Sequence, residues 1–238
     1  MSESRSPQLY ARTCGALYLY IIVAGLFAEI FMRSRLVVAG DAVASAGNII
    51  ANQLLFRIGF TGELVHLACD VAVAVLLYVL LRPVSRTVAL LAACMRLVSD
   101  VILAVASVSH FAALRLLTGV GYLDILPTEE RQALALLALR LHGDGYSICL
   151  FFFAFACLSA GYLIFKSSYL PKAIGVLMAV AGGCYLVNSL AHFLAPALAA
   201  ALFPVLFVPV FVAELSLALW LIVKGVDAAK WQARASPA

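Results

Sequence analysis

Charge is what this 238-residue sequence has least of. Asp, Glu, Lys and Arg together make up 12% of it, while 65% is hydrophobic, against the roughly 45–50% apolar usage of soluble domains. So few charges cannot cover the surface of a soluble protein, and no polar stretch between Cys14 and Val226 is long enough to fold by itself. The formal charge of +4 comes from scattered Lys and Arg. With no basic stripe interleaved by aromatics, there is no footprint for a nucleic-acid partner. There is no Walker loop, dinucleotide fingerprint, H-E-x-x-H, Ser-His-Asp arrangement or C-x-x-C-H haem-attachment site. The six cysteines all fall in apolar runs with no C-x-x-C pair, which excludes a disulfide framework and a zinc finger and leaves them as small hydrophobes.

What is there is hydrophobic length. A hydrocarbon core of about 30 Å needs about 20 apolar residues at 1.5 Å each. Six segments qualify, at roughly Cys14–Met32, Phe60–Leu81, Thr87–Leu116, Ala133–Phe165, Ala173–Leu194 and Leu202–Val223. The third and fourth exceed one perpendicular crossing, so each must tilt, extend or break. The first resembles a secretory signal, with Ala42-Val43-Ala44 and Ala44-Ser45-Ala46 as cleavage-like triplets, but it is longer than a signal core and Arg33 and Arg35 intervene. It is therefore expected to be a retained helix.

Basic residues alternate between connections. Arg5 and Arg12, then Arg82 and Arg86, then Lys166 and Lys172, then Lys224, Lys230 and Arg234 mark one side, while Asp41, Asp124, Glu129 and Glu130 mark the other. Arg33, Arg35 and Arg57 break the pattern. By the positive-inside rule both termini are cytoplasmic. The expected fold is all-α, a polytopic membrane bundle of about six transmembrane helices. It is read as a single integral domain over residues 1–238, with short tails at 1–12 and 225–238.

After the first span, Asp41 can cap a helix carrying Ser45, Asn48 and Asn52 on one face and Val43, Ile50 and Leu54 on the other. This predicts an amphipathic helix on the external surface. In GVGYLDILPTEERQ, Gly119 and Gly121 end one helix, and Thr128, Glu129 and Glu130 start the next.

Polar residues inside spans are costly and mark interior faces or wet cavities. Glu63, His66 and Asp70 stand at i, i+3 and i+7; Arg96 and Asp100 at i, i+4, with His110 on the same stripe; Tyr185, Asn188 and His192 again at i, i+3 and i+7. Glu214, His142, Asp144 and Tyr146 complete the set. Measured from the cytoplasmic end of each helix, Arg96 and Glu214 lie about 15 Å deep, Asp70 about 18 Å, Asp100 about 21 Å, and Glu63 and His192 about 28–30 Å. These depths predict a polar cavity in the outer half of the bilayer. A midplane guanidinium needs a carboxylate, and Asp70, Asp100 and Glu214 are at compatible depth for Arg96.

The ligand-binding expectation thus covers Glu63, His66, Asp70, Arg96, Asp100, His142, Asp144, Asn188, His192 and Glu214. A metal set of His66, Asp70, His142 and His192, with Glu63 or Asp144 as base, is the catalytic variant. In RLHGDGYSICLFFF, from Arg140 to Phe153, the glycines flanking Asp144 suggest a break between an interfacial lead-in at Arg131–Leu141 and the span from Tyr146.

The segments LYLYIIVAGLFAEIFMRSRL, LLYVLLRPVSRTVALL, FFFAFACLSAGYLIFKSSYLPKAIGVLMAVAGGCYL and ELSLALWLIVKG, in that order, are similar to a bacterial membrane-protein family known as domain of unknown function 4386. The resemblance runs from about Tyr10 to Val226 and implies a stand-alone multi-pass protein of bacterial membranes. It implies no activity, cofactor or site residue. Three functions follow from the residues: a transporter or binding module for a small ligand, ion or lipid head group; a metal-dependent intramembrane lipid hydrolase; or a non-catalytic assembly subunit. The lipid bilayer of the bacterial inner membrane is the expected surrounding.

Overall fold

The computed structural model describes residues 6–119 and 121–235, without the side chain of Arg33; Arg5, counted above among the basic residues, lies outside these. Among the described residues there is no strand. The helices are α1 (Pro7–Phe27), continued by a π-helical turn at Ala28–Arg33 and by α2 (Ser34–Leu36), then α3 (Ala42–Ala51), α4 (Gln53–Leu81) and α5 (Arg86–Thr118). A 3-10 turn at Gly121–Leu123 leads to α6 (Thr128–Lys166), α7 (Lys172–Leu194), α8 (Pro196–Val223) and α9 (Ala228–Ala235).

Among the described residues, six helices are long and apolar enough to cross a membrane: Pro7–Leu36, Gln53–Leu81, Arg86–Thr118, Thr128–Lys166, Lys172–Leu194 and Pro196–Val223. These contain the six runs read from the sequence. Large apolar side chains stand open along them, such as Val105, Val108, Val205 and Val223. A soluble protein of this size does not expose apolar surface so extensively, and lipid is the solvent that makes it stable. The chain is a multi-pass membrane helix bundle.

Local chemistry sets the helix ends. The Asp41 side chain accepts the Ala44 N–H at 2.9 Å and caps α3, a contact whose loss typically costs about 1 kcal/mol. Thr128 opens α6 with Glu129 and Glu130 in its first turn, where the helix dipole favours acids. Pro196 occupies the start of α8, where its missing N–H costs nothing, and α8 continues past Pro204 and Pro209.

The chain divides into two compact units. The first comprises Met1–Ile22, Ala68–Asp100 and Ser147–Ala238. In it, α6 and α7 meet through glycines. A Cβ built on Gly161 would lie 2.7 Å from the Gly175 carbonyl, and one on Gly175 would lie 2.6 Å from the Phe165 nitrogen. Only backbones without side chains approach so closely, the small-residue packing expected in lipid. The same unit fastens both chain ends. Gln8 donates to the Lys224 carbonyl at 3.1 Å and accepts the Val226 N–H at 2.9 Å, across a turn in which Gly225 has φ +68°. The Leu80 carbonyl, left open at the end of α4, accepts from Tyr169 Oη at 2.7 Å and from Trp231 Nε1 at 2.9 Å.

The second unit comprises Val23–Leu67 and Val101–Tyr146. Its core is Met32, Leu36, Ile49, Phe56 and Leu114. The short helix α3 turns Ser45 inward, where its hydroxyl donates to the Asp41 carbonyl at 2.7 Å and accepts from the Val38 N–H at 2.9 Å. Val43 and Ile50, by contrast, stand exposed. α3 thus buries Ser45, Ala46 and Ile49 while Val43 and Ile50 face outward, apolar side chains suited to a lipid surface.

One expectation is corrected here. Gly143 and Gly145 do not break the fourth long helix: α6 runs unbroken from Thr128 to Lys166, about 58 Å at 1.5 Å per residue. The physical reason is packing rather than chain reversal. A Cβ on Gly145 would sit 2.5 Å from the Ala106 Cβ, so the glycine lets α6 lie close against α5 while keeping helical geometry.

Candidate functional site

The polar side chains within the spans form two clusters, one in each unit. In the first unit Arg96 and Asp70 are 4% and 3% exposed. Arg96 donates through Nε to Asp70 Oδ1 at 3.0 Å, and its Nη2 bonds the same oxygen. The guanidinium carbon lies 4.9 Å from the Tyr18 ring centroid and 4.8 Å from that of Phe153. A cation between two aromatic faces, tied to a carboxylate, is held in place from three sides.

Asp100, one helical turn beyond Arg96, lies beside the Asp70 carboxyl. Beside it, Ser99 donates to the Cys149 carbonyl at 3.0 Å and links α5 to α6. Glu214 accepts from Tyr185 Oη at 2.9 Å. A cavity of about 20 Å³ is lined by Arg96, Cys157, Met178 and small alanines, room for about one water. This cluster is packed rather than open.

In the second unit Glu63 is the node. Its Oε1 faces His142 Nε2 at 3.0 Å and its Oε2 faces His110 Nδ1 at 3.1 Å. Ser107 donates to Oε1 as well as to the Leu103 carbonyl. The two imidazole rings lie 4.6 Å apart, and Phe56 and Phe60 stand edge-on to His110. The side chains of Glu63, His110 and His142 are 15%, 12% and 21% exposed, so the node is sheltered but reachable. Their ligand atoms lie within 4.8 Å of one another.

Among the described residues, Glu63, His110 and His142 are the group with metal-ligand geometry. The quartet expected from the sequence is distributed otherwise. Asp70 is engaged by Arg96 and, with His192, belongs to the first unit; His66 and His142 belong to the second. His192 packs edge-on against Phe193, and Asn188 is buried on the same helix. Asp144 is half-buried in the second unit, on α6. His142, just ahead of the most apolar stretch of the chain, turns inward to Glu63.

The residues absent from the expected set are His110 and Ser107. The signal for them was present: Arg96, Asp100, Leu103, Ser107 and His110 follow one another at four- and three-residue steps, a single face of α5.

The donor set fits a divalent transition metal. Two imidazole nitrogens and one carboxylate form a three-ligand set of the kind that leaves a coordination position for water or substrate. Metal–ligand bonds of about 2.0–2.2 Å imply tetrahedral edges of about 3.3–3.6 Å. The 3.0 and 3.1 Å separations end on different oxygens of Glu63; with one ligand atom from each residue the trio lies within 4.8 Å, so binding a metal would draw these atoms together by no more than about 1.5 Å.

Three comparisons place the chain among known proteins. No solved structure matches it. A relative described as an uncharacterized protein, from Archaeoglobus fulgidus, is 28% identical over 158 residues, covering 66% of this chain and 76% of the relative. The family described as "Domain of unknown function (DUF4386)" matches residues 13–225, and the chain belongs to that family.

Proposed function

We propose that the protein is an intramembrane metal-binding protein that holds a divalent transition-metal ion, of the zinc class, between Glu63, His110 and His142. The observation that carries this reading is the mutual approach of the three ligand atoms within 4.8 Å, on residues 79 positions apart in the chain for the outermost pair. Ser107 acts as the outer partner that fixes the carboxylate, as ligands of metal sites are commonly fixed. An ion there supplies a Lewis acid and an activated water. The residues themselves supply the sheltered position, the orientation of the carboxylate and the exclusion of bulk solvent by Phe56 and Phe60. With three protein ligands the open position suits a substrate that arrives from the bilayer, and lipid hydrolysis is the reaction class to assay.

We place the protein in the bacterial inner membrane with both termini in the cytoplasm, on the distribution of Lys and Arg described above.

The test is metal content. Protein purified in detergent with no chelator is expected to carry close to one equivalent of metal, or to bind added Co²⁺ with the intense visible bands of a tetrahedral site. Glu63→Gln, His110→Ala and His142→Ala are each expected to weaken binding by 10-fold or more. Wild-type protein that is folded by circular dichroism and takes up neither zinc nor cobalt refutes the reading. So does undiminished binding in all three variants.

A further inference from the structure

The first unit carries an imbalance of charge that the metal reading does not use. Around the one guanidinium of Arg96 stand three carboxyl groups, Asp70, Asp100 and Glu214. Among the described residues, the other groups seen to face this cluster add no cation. They are Cys14 and Tyr18 from α1, Cys157 from α6 and Tyr185 from α7. Fully ionised, the acids would leave two uncompensated negative charges within a membrane interior, where an unpaired charge is among the costliest arrangements a fold can carry.

Geometry singles out which acid lacks a counter-charge. Arg96 Nε and Nη2 both donate to Asp70 Oδ1. Asp100 is 6% exposed, lies against the Asp70 carboxyl, and its Oδ2 has no hydrogen-bond partner among the described residues. Two carboxyl groups in contact can form a hydrogen bond only if one of them carries a proton.

We propose that Asp70 and Asp100 form an intramembrane proton-binding pair, in which one proton is held between the two carboxyl groups and Arg96 balances the single remaining negative charge. The bound species is a proton from water, and its release would leave Asp100 as a buried anion without a counter-charge. Its place is distinct from Glu63, His110 and His142, and it stands whether or not that trio binds metal.

Infrared spectroscopy of the full chain in nanodiscs tests it. Wild-type protein at neutral pH is expected to show the carbonyl stretch of a protonated carboxyl group, shifted down on transfer to D₂O. Asp100→Asn is expected to lose the component of that band that belongs to the pair, and Glu214→Gln to keep that component. Thermal unfolding supplies the second measurement: Asp100→Asn, which replaces a neutral acid by a neutral amide, is expected to hold its midpoint at neutral pH, while Asp70→Asn lowers it. Absence of a protonated carboxyl band from the wild-type spectrum overturns the proposal, and that spectrum needs no variant to fold. So does a fall in midpoint as large for Asp100→Asn as for Asp70→Asn.

Discussion

Replacing Arg96 by Met tests what the cation contributes to the fold. Both members of the pair are nearly inaccessible, and the hydrogen bonds from Arg96 Nε and Nη2 end on one oxygen of Asp70. Truncating one partner of such a buried pair costs about 3–5 kcal/mol, mostly because the other charge is left without compensation. The two ring contacts, at 4.9 and 4.8 Å, add about 1 kcal/mol net, since a methionine sulfur recovers part of what the guanidinium loses against Tyr18 and Phe153. The expected loss is therefore about 4–6 kcal/mol. Reversible unfolding from detergent micelles, followed by circular dichroism, measures it. The double variant Arg96→Met with Asp70→Leu is expected to recover about 3 kcal/mol of this, because an apolar pair replaces an orphaned anion. A single-variant loss under about 1 kcal/mol, or strictly additive effects in the double variant, refutes the account of Arg96 as a charge held by Asp70.

Further outcomes follow from other contacts. Gly161→Ala, which drives a methyl into the backbone of α7, is expected to destabilise by about 1–3 kcal/mol; Gly183→Ala, with nothing within 4 Å of the new Cβ, is expected to be neutral or stabilising by up to about 1 kcal/mol in the same unfolding assay. Metal affinity at Glu63, His110 and His142 is expected to fall as pH is lowered, because protons compete for the ligand atoms, and a cobalt titration at several pH values measures the slope. Asp227 lies outside the spans and its carboxyl is held below the usual carboxylate range by hydrogen bonds from the Lys230 side chain and backbone N–H. Its contribution to docking of α9 is thus present above the ordinary carboxylate pKa and is lost as pH falls through the lowered value. Trp231 emission in a Trp220→Phe background is expected to stay constant down to mildly acidic pH and to change only at strongly acidic pH.

The extent of the fold that sequence alone reveals follows from which physical quantities are local. Apolar length is local, so all six spans are visible as runs, and each of the six helices contains its run. The Asp41 cap and the acidic first turn of α6 are local too. Whether Gly145 bends a helix or admits a neighbour depends on Ala106, 39 positions away, and nothing within the segment itself distinguishes the two uses. The same limit governs the site. Spacing places Glu63, His66 and Asp70 on one face of α4, yet the rotation of that face against α5 and α6 decides that Glu63 meets His110 and His142 and that Asp70 meets Arg96. Position along a helix follows from residue count, and azimuth does not.

The bonds from Gln8 to the Lys224–Val226 turn join positions 216 and 218 residues apart. During synthesis the partner for Gln8 does not exist until the sixth span has been made. The first helix therefore waits in the membrane with one end unfastened while five others are inserted, and the order of translation lets this clasp close only after them, with the Trp231 bond to Leu80 later still. A ribosome stalled before Lys224 would release a bundle whose beginning is free, which gives proteolysis at the N-terminal segment as a direct report of whether assembly has finished.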